Sequence, residues 1–305
     1  MRPPEPTGAV LAWAARQVGE KATAVVVKGL REGGNPWLLR IRHDGHVSEA
    51  VLKVTAPNDP GGFATEIAAL GVAEDRHVGA PTILGFDTGA DGTAAVVETV
   101  VPGSSTIPVE PTPRRLRALG AAAAALHAVA AVPSPDLPVR TRPIPASDFA
   151  RQRRLGRAPT TPLLQAADAH VSRLPTPAGR PVLVHGDLWQ GNTLWDGDTL
   201  TGIVDWDMAG VGHNGIDLSS LRLDAALMFG GDAAEQVLAG WEDATGEPAG
   251  DVAFWDAVTA LNMPGDIAVF APAIHDQGRR DLTATTLNRR RDAFLRQALA
   301  RLPQP

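Results

Sequence analysis

The sequence has no cysteine among its 305 residues, which excludes disulfides, thiol catalysis and cysteine-ligated zinc. No apolar run is long enough to cross a bilayer, because the alanine-rich stretch around residue 123 is short and ends in His127. The opening residues 1–6 lack the apolar core of a signal peptide. These absences predict a cytoplasmic protein without a membrane partner.

An excess of basic residues is also missing, since 28 Lys and Arg stand against 34 Asp and Glu, a net charge of −6. This balance argues against nucleic acid as the main partner and favours a small molecule that is cationic or neutral. Seven acids in the predicted C-terminal helices are candidates to contact a cation: Asp224, Asp232, Glu235, Glu242, Asp243, Asp256 and Asp266. Length and 44% hydrophobic content are sufficient for two modest cores.

The most informative residues are an aspartate, an asparagine five positions later and a second aspartate after an apolar run: Asp187, Asn192 and Asp205. Phosphoryl transfer needs a carboxylate to accept the proton of the attacking hydroxyl, and hard oxygen ligands for Mg²⁺. Each residue alone is more typical of a loop that bonds its own turn. Residues 181–184 and 200–204 are predicted as two short buried strands joined through a turn at 196–198, which would bring all three side chains to one end of neighbouring strands.

The pattern His185-Gly186-Asp187-x-x-x-x-Asn192, followed by Asp205-Trp206-Asp207 and later by Asp217, resembles the aminoglycoside phosphotransferase and choline kinase family. The resemblance implies an α+β, two-lobed, protein-kinase-like fold, with an N-terminal antiparallel sheet plus a helix and a mainly helical C-terminal lobe. It also implies that Asp187 is the catalytic base, that Asn192 and Asp205 bind Mg²⁺, and that ATP or GTP is the co-substrate. Asp217 would anchor the catalytic loop.

The first hundred residues predict the sheet that such a fold requires. Residues 25–30, 37–42 and 49–54 are candidate strands, and Asp44-Gly45 predicts a two-residue hairpin. Lys53 lies inside an apolar strand, where an ammonium needs a partner. A helix over about 62–75 supplies Glu66, and this pair is the arrangement that holds nucleotide phosphates in kinases. No Gly-x-Gly-x-x-Gly precedes Lys53, so the turn 31–36 would take the place of the phosphate-covering loop.

Two further strands are predicted at 82–86 and 94–98, and the breaker-rich segment 101–105 predicts a hinge. By resemblance, backbone groups of Glu98, Thr99 and Val100 would bind the purine. The lobes would then be a nucleotide-binding part, 1–101, and a catalytic and substrate-binding part, 102–305. Helices are predicted over 113–131, 163–174, 218–229, 233–245, 252–270 and 282–302, with a kink or break at Pro264-Gly265 and a long connection with little regular structure over 132–157.

Three alternatives remain open at this stage. Residues 210–215 satisfy Gly-x-Gly-x-x-Gly, a weak dinucleotide signal that leaves Asp205 and Asp207 unexplained. A ketosamine kinase shares the His185-Gly186-Asp187 motif, although residues 206–210 differ from the Pro-Ala continuation of that group. The third is a catalytically silent binding module, which would have no chemical need to retain Lys53 together with Asp187, Asn192 and Asp205. We therefore predict a kinase of a small hydroxylated acceptor, an amino sugar or aminoglycoside-like molecule, acting as a monomer or homodimer.

Overall fold

Residues 5–31, 35–55, 63–75, 79–87 and 94–303 are described by the computed structural model of this chain. The chain divides into two units, Met1–Pro102 and Gly103–Pro305. The described part of the first unit contains two helices and five strands: α1 (Gly8–Arg16), β1 (Thr23–Gly29), β2 (Trp37–His43), β3 (His46–Val54), α2 (Ala64–Asp75), β4 (Ile83–Asp87) and β5 (Ala95–Thr99). Positions 32–34 of the predicted phosphate-covering turn, and the predicted helix start at 62, lie outside the described residues.

The N-terminal sheet has the order β1-β2-β3-β5-β4, and every neighbouring pair is antiparallel. The predicted hairpin between β2 and β3 is confirmed, with His43 paired to His46. Asp44 and Gly45 both have positive φ, 47° and 78°, as the preferred two-residue hairpin turn requires.

The alternation of buried and more exposed residues along β2 shows which face of the sheet is covered. Trp37, Leu39 and Ile41 of β2 are buried at every second position and form one apolar cluster with Ala14 of α1. The pleat therefore directs these side chains to one face. Helix α1 was not predicted from the sequence; it begins after Thr7, whose hydroxyl accepts a hydrogen bond from the Val10 amide.

The described part of the second unit is mainly helical, with four short strands. Its elements are α3 (Pro113–His127), α4 (Phe149–Arg154), α5 (Pro162–Val171), β6 (Val182–Val184), β7 (Thr193–Asp196), β8 (Thr199–Ile203), β9 (Gly210–Gly212), α6 (Gly215–Phe229), α7 (Gly231–Thr245), α8 (Val252–Leu261), α9 (Ala271–Asp276) and α10 (Ala284–Arg301). Helix α6 is buried along nearly its whole length and packs against α7, α8 and α10. It is the central support of this unit.

The structure corrects the predicted pairing of the short strands. The turn at residues 197–198 joins β7 to β8, whereas β6 pairs with β9. Strand β7 was missed because residues 193–196 are few and end in an aspartate, so no alternation is visible. The predicted segments 181–184 and 200–204 are strands as expected, but they belong to two different small sheets.

The connection 132–157 has little regular structure, as predicted, apart from the six-residue helix α4, whose first turn is capped by Asp148 accepting a hydrogen bond from the Arg151 amide. The predicted helix over 252–270 ends at Leu261, three residues before the predicted break at Pro264. Asn262 follows it and bonds both the Phe149 amide and the Pro143 carbonyl. No helix in the described ranges is long and apolar enough to span a bilayer.

Candidate active site

The loop after β6 carries the first candidate residues and is held by one buried carboxylate. Asp217, near the start of α6, is fully buried and accepts two backbone hydrogen bonds: from the His185 amide at 2.7 Å and from the Gly186 amide at 2.9 Å. Hydrogen bonds to an ionised acceptor are stronger than neutral ones. Asp217 therefore fixes the backbone immediately before Asp187.

Gly186 is required by this loop. Its φ is +80°, and a Cβ at this position would lie 2.1 Å from the carbonyl oxygen of Met208. A residue with a side chain would be strained by both the dihedral angle and the contact. The glycine between His185 and Asp187 thus lets the loop pass close to the segment that follows Asp205.

His185 ties the two loops together. Its Nδ1 accepts a hydrogen bond from the Asp187 amide at 3.4 Å, and its Nε2 lies 3.1 Å from the Val204 carbonyl oxygen. An imidazole that accepts at Nδ1 and donates at Nε2 is neutral with its proton on Nε2. The ring also packs on Trp206 at a centroid distance of 4.9 Å.

Asn192 is adjacent to Asp187 in space. Its Nδ2 donates to the backbone oxygen of Asp187 at 3.0 Å and approaches Asp187 Oδ2 at 3.4 Å. The Asn192 backbone carbonyl in turn accepts a hydrogen bond from the Val204 amide at 2.9 Å. The predicted base and the predicted amide ligand are therefore brought together, and the segment leading to Asp205 is attached to them.

Asp205 has a left-handed backbone, φ 72°, which is uncommon for a residue with a side chain. Its neighbour Trp206 holds the turn, since the fully buried indole donates to the Ile203 carbonyl at 2.9 Å. Such dihedral angles persist where the surrounding structure enforces them, often at functional sites. The strain at Asp205 agrees with a functional position.

The carboxylates of this cluster affect the pKa of Asp187. Burial, together with the neighbouring carboxylates of Asp205 and Asp207, raises the pKa of the Asp187 carboxyl to about 7, while the hydrogen bond from Asn192 acts in the opposite direction. Crowded like charges disfavour ionisation of each carboxyl. The charge of Asp207, which is exposed, thus also acts on this site.

These oxygen donors suit Mg²⁺, because a divalent cation would offset both the burial of the Asp187 carboxylate and its repulsion by Asp205 and Asp207. Among the described residues, no group of three or more His, Asp or Glu side chains is placed so that it could hold a metal ion by itself. An amide and a carboxylate form only part of a coordination shell, which agrees with Mg²⁺, since this ion keeps several waters and is completed by substrate phosphates.

The N-terminal unit holds a separate charged cluster. Lys53 and Glu66 form a buried ion pair, as predicted, and Lys53 Nζ also lies 3.8 Å from Glu98 Oε1. Lys53 lies between Leu52 and Val54 in β3. Successive side chains of a strand point to opposite faces, so the Lys53 side chain extends from the other face of β3. The sequence-based expectation for Glu98 concerns its backbone alone, so the contact of its side chain with Lys53 is an addition from the structure. Val100, 37% exposed, follows directly after β5.

Sequence reasoning assigned no role to His127, yet it contacts the anchor of the catalytic loop. This buried ring accepts a hydrogen bond at Nδ1 from Trp241 Nε1 at 3.1 Å, and its Nε2 lies 3.5 Å from Asp217 Oδ2. A histidine inside an apolar helix face carries no sequence signal of such a contact, because Trp241 and Asp217 are both about a hundred residues away.

The glycines at 210–215 do not form a phosphate-binding turn. Gly210 and Gly212 belong to strand β9, and Gly215 is the first residue of α6. An added Cβ would lie 2.3 Å from the Pro138 carbonyl at Gly210 and 2.2 Å from the Trp255 ring at Gly215. Close packing therefore explains this spacing, and the dinucleotide alternative loses its support.

A sequence model of the phosphotransferase enzyme family matches residues 16–255, so the chain belongs to that family and is a small-molecule phosphotransferase. Solved structures of similar fold include macrolide 2'-phosphotransferase MphH from Brachybacterium faecium, with 21% identity over 98% of this chain and 100% of that one, at a TM-score of 0.56. No curated protein matched by sequence.

Two further structures agree in fold. The microcompartment-associated aminopropanol kinase has 20% identity over 94% of this chain and 96% of its own, at a TM-score of 0.58. A thermostable mutant of aminoglycoside phosphotransferase APH(4)-Ia, in a ternary complex with ADP and hygromycin B, has 15% identity over 94% and 98%, at a TM-score of 0.59. The predicted kinase-like α+β fold is confirmed, with an N-terminal antiparallel sheet and a mainly helical C-terminal part.

Proposed function

We propose that this phosphotransferase moves the terminal phosphate of ATP to a hydroxyl group of a small molecule. The observation that carries the proposal is the contact of Asn192 with Asp187 in a loop whose backbone is anchored by Asp217. A proton acceptor and a metal ligand held together on a braced loop is the arrangement that phosphoryl transfer needs.

Asp187 would orient the acceptor hydroxyl and take its proton. The hydroxyl oxygen bonds to the terminal phosphorus, the bond from that phosphorus to the bridging oxygen breaks, and ADP leaves with the electron pair. Asn192 and Asp205 would hold Mg²⁺, which neutralises charge on the nucleotide phosphates when bound. The neutral ring of His185 would keep the Asp187 amide and the Val204 carbonyl in register.

The nucleotide contacts are proposed for residues 1–101, and catalysis for residues 102–305. Lys53, positioned by Glu66 and Glu98, would bind the phosphates, and the backbone around Glu98 and Val100 would bind the purine. GTP is the alternative to ATP, because backbone contacts leave little side-chain signature of the base in the sequence. A nucleotide requirement agrees with a cytoplasmic location.

For the acceptor, the sequence favours an amino sugar or an aminoglycoside-like molecule. The similar structures are named for macrolides, for hygromycin B and for aminopropanol, so the shared property is a hydroxyl group on a small molecule. Nucleotide consumption should be measured with a panel of amino sugars, aminoglycosides, macrolides and ketosamines, with ATP and with GTP.

Asp187→Asn tests the assigned base, with Asp196→Asn as a matched control on the exposed end of β7. Asp187→Asn should lower kcat by about 10²- to 10⁴-fold, the typical contribution of a general base, while Mg²⁺-ATP still raises the melting temperature. Asp196→Asn should keep the parent rate. Equal rates for Asp187→Asn and the parent would remove Asp187 from the mechanism, and no thermal shift with any nucleotide would instead favour a silent binding module.

A further inference from the structure

A cavity of about 300 Å³ lies in the C-terminal unit, and Asp187 forms part of its wall. Ligand sites in proteins range upward from about this volume. A hydroxylated molecule that occupies the cavity can present its hydroxyl to Asp187. If Asp187 is the base, the cavity is the acceptor site, and its walls define which acceptors fit.

The wall of this cavity is apolar. Apart from Asp187, Ser220 and Asp224, every lining side chain is aliphatic, aromatic or a methionine. Leu223 and Met228 of α6 contribute to one side, and Ile267 and Ile274 contribute to another; all four are at least 96% buried. Closely packed side chains of this kind change shape little, so the cavity is largely preformed.

Trp189 supplies the aromatic part of the wall next to Asp187. Its ring lies against the backbone of Gly191, where an added Cβ would be 2.2 Å from the indole. The same ring packs against the apolar core of the C-terminal unit. The indole is therefore held in place before any ligand arrives.

A polycation would find few counter-charges here. Of the seven acids considered from the sequence, only Asp224 lines the cavity, and its Oδ2 already accepts hydrogen bonds from the backbone and side-chain amides of Gln190 at 3.3 and 2.7 Å. Asp256 is bound to Arg222, and Asp243 is bound to Arg117. An ammonium placed against an apolar wall without a partner is costly.

We propose that the acceptor is a hydroxylated molecule with a predominantly apolar body that carries at most one positive charge, because Asp224 is the one carboxylate of the lining besides the proposed base Asp187. This inference rests on the proposed function, because Asp187 makes the cavity the acceptor site. It narrows the expected acceptor, an amino sugar or aminoglycoside-like molecule, to one with an apolar body and little charge.

The test measures binding of straight-chain 1-alkanols from butanol to octanol by isothermal titration, with kanamycin as the polycationic comparison. Burial of each methylene in an apolar site strengthens binding by about two- to fourfold, so affinity should rise steadily with chain length. Kanamycin should bind more weakly than octanol at about 0.15 M salt, where exposed charges are largely screened.

Two tryptophan variants locate the site. Ala273→Trp introduces a large ring at an exposed residue that lines the cavity, and it should abolish the dependence on chain length. Val269→Trp places the same ring nearby on a residue that is 67% exposed and outside the lining, and it should leave that dependence unchanged.

Affinity that is independent of chain length, equal behaviour of the two variants, or tighter binding of kanamycin than of octanol would overturn the inference. Binding of Mg²⁺-ATP is measured separately on the same preparation. Nucleotide binding without chain-length dependence would sink the apolar acceptor and leave the proposed reaction standing. Chain-length dependence without nucleotide binding would remove the proposed reaction, and with it the assignment of the cavity as an acceptor site, and would leave only an apolar ligand site.

Discussion

Replacing Gly186 by alanine should disable the catalytic loop without unfolding the protein. The new Cβ has two costs. A left-handed backbone disfavours an L-residue by roughly 1 to 2 kcal/mol. In addition, the methyl group would lie 2.1 Å from the Met208 carbonyl oxygen, whereas real Cβ contacts essentially never fall below 3.0 Å. Relief requires the loop or the Met208 backbone to move by about 1 Å.

Gly156→Ala is the matched control. Gly156 has a similar φ, +69°, but an added Cβ would meet nothing within 4 Å, so this variant has only the dihedral cost. A displacement of about 1 Å at a reacting group can cost about 100-fold in rate, equivalent to about 2.7 kcal/mol of transition-state stabilisation. We expect that loss in kcat/KM for Gly186→Ala, and a nearly unchanged value for Gly156→Ala.

The assay measures ADP formation with an acceptor from the panel, and thermal unfolding of the same samples. Each kcal/mol lost should lower the melting temperature by about 2 to 4 °C for a unit of this size, so both variants should stay folded at 25 °C. If Gly186→Ala matched Gly156→Ala in rate and in melting temperature, the close approach of the loop to Met208 would not be needed for activity.

Four other variants test individual residues of the two units. Asp205→Ala should remove the extra thermal stabilisation that Mg²⁺ adds to ATP, while stabilisation by ATP with EDTA stays at the parent level. Lys53→Met removes the ammonium that Glu66 and Glu98 both contact, and it should lower the free energy of unfolding in urea by about 3 to 5 kcal/mol; Lys53→Met with Glu66→Gln should recover part of this loss. Burial raises the pKa of Asp224 to about 6 from 3.8, so the folded state holds this proton more tightly and its stability falls as pH rises through that window. Asp224→Asn should therefore be more stable than the parent at pH 7, by up to about 3 kcal/mol, and equal to it near pH 3.

Local patterns were sufficient to predict much of this fold. Alternating apolar residues and the Asp44-Gly45 turn predict β2 and β3, because both signals act between residues close in sequence. The ion pair of Lys53 with Glu66 also followed from a local argument, since a buried ammonium must have a partner. Boundaries were less predictable. Helix α8 ends early where Asn262 bonds the backbone of residues more than a hundred positions away.

The residue types of the candidate site were predictable from the sequence. The contacts that hold these residues in place were not. Asp187, Asn192 and Asp205 stand out because phosphoryl transfer restricts the chemistry to such groups. The contact of His127 with Asp217 depends on how α3 packs near α6, and a single sequence holds no signal for it. The predicted strand pairing was wrong for the same reason, because β6 pairs with β9, which follows the catalytic loop in the sequence.

The expectation of a cationic or neutral acceptor rests on the composition of the whole chain. A net charge of −6 describes the whole chain, but binding depends on the few groups that face the ligand. Asp243 and Asp256 are engaged with arginines, so they add to the total without adding to the site. The apolar wall instead comes from residues as far apart as Ile144 and Ile274, and no local sequence pattern groups them. Acceptor choice in this chain should therefore follow substitutions at Leu223, Met228 and Ile274 more closely than changes in its acidic content.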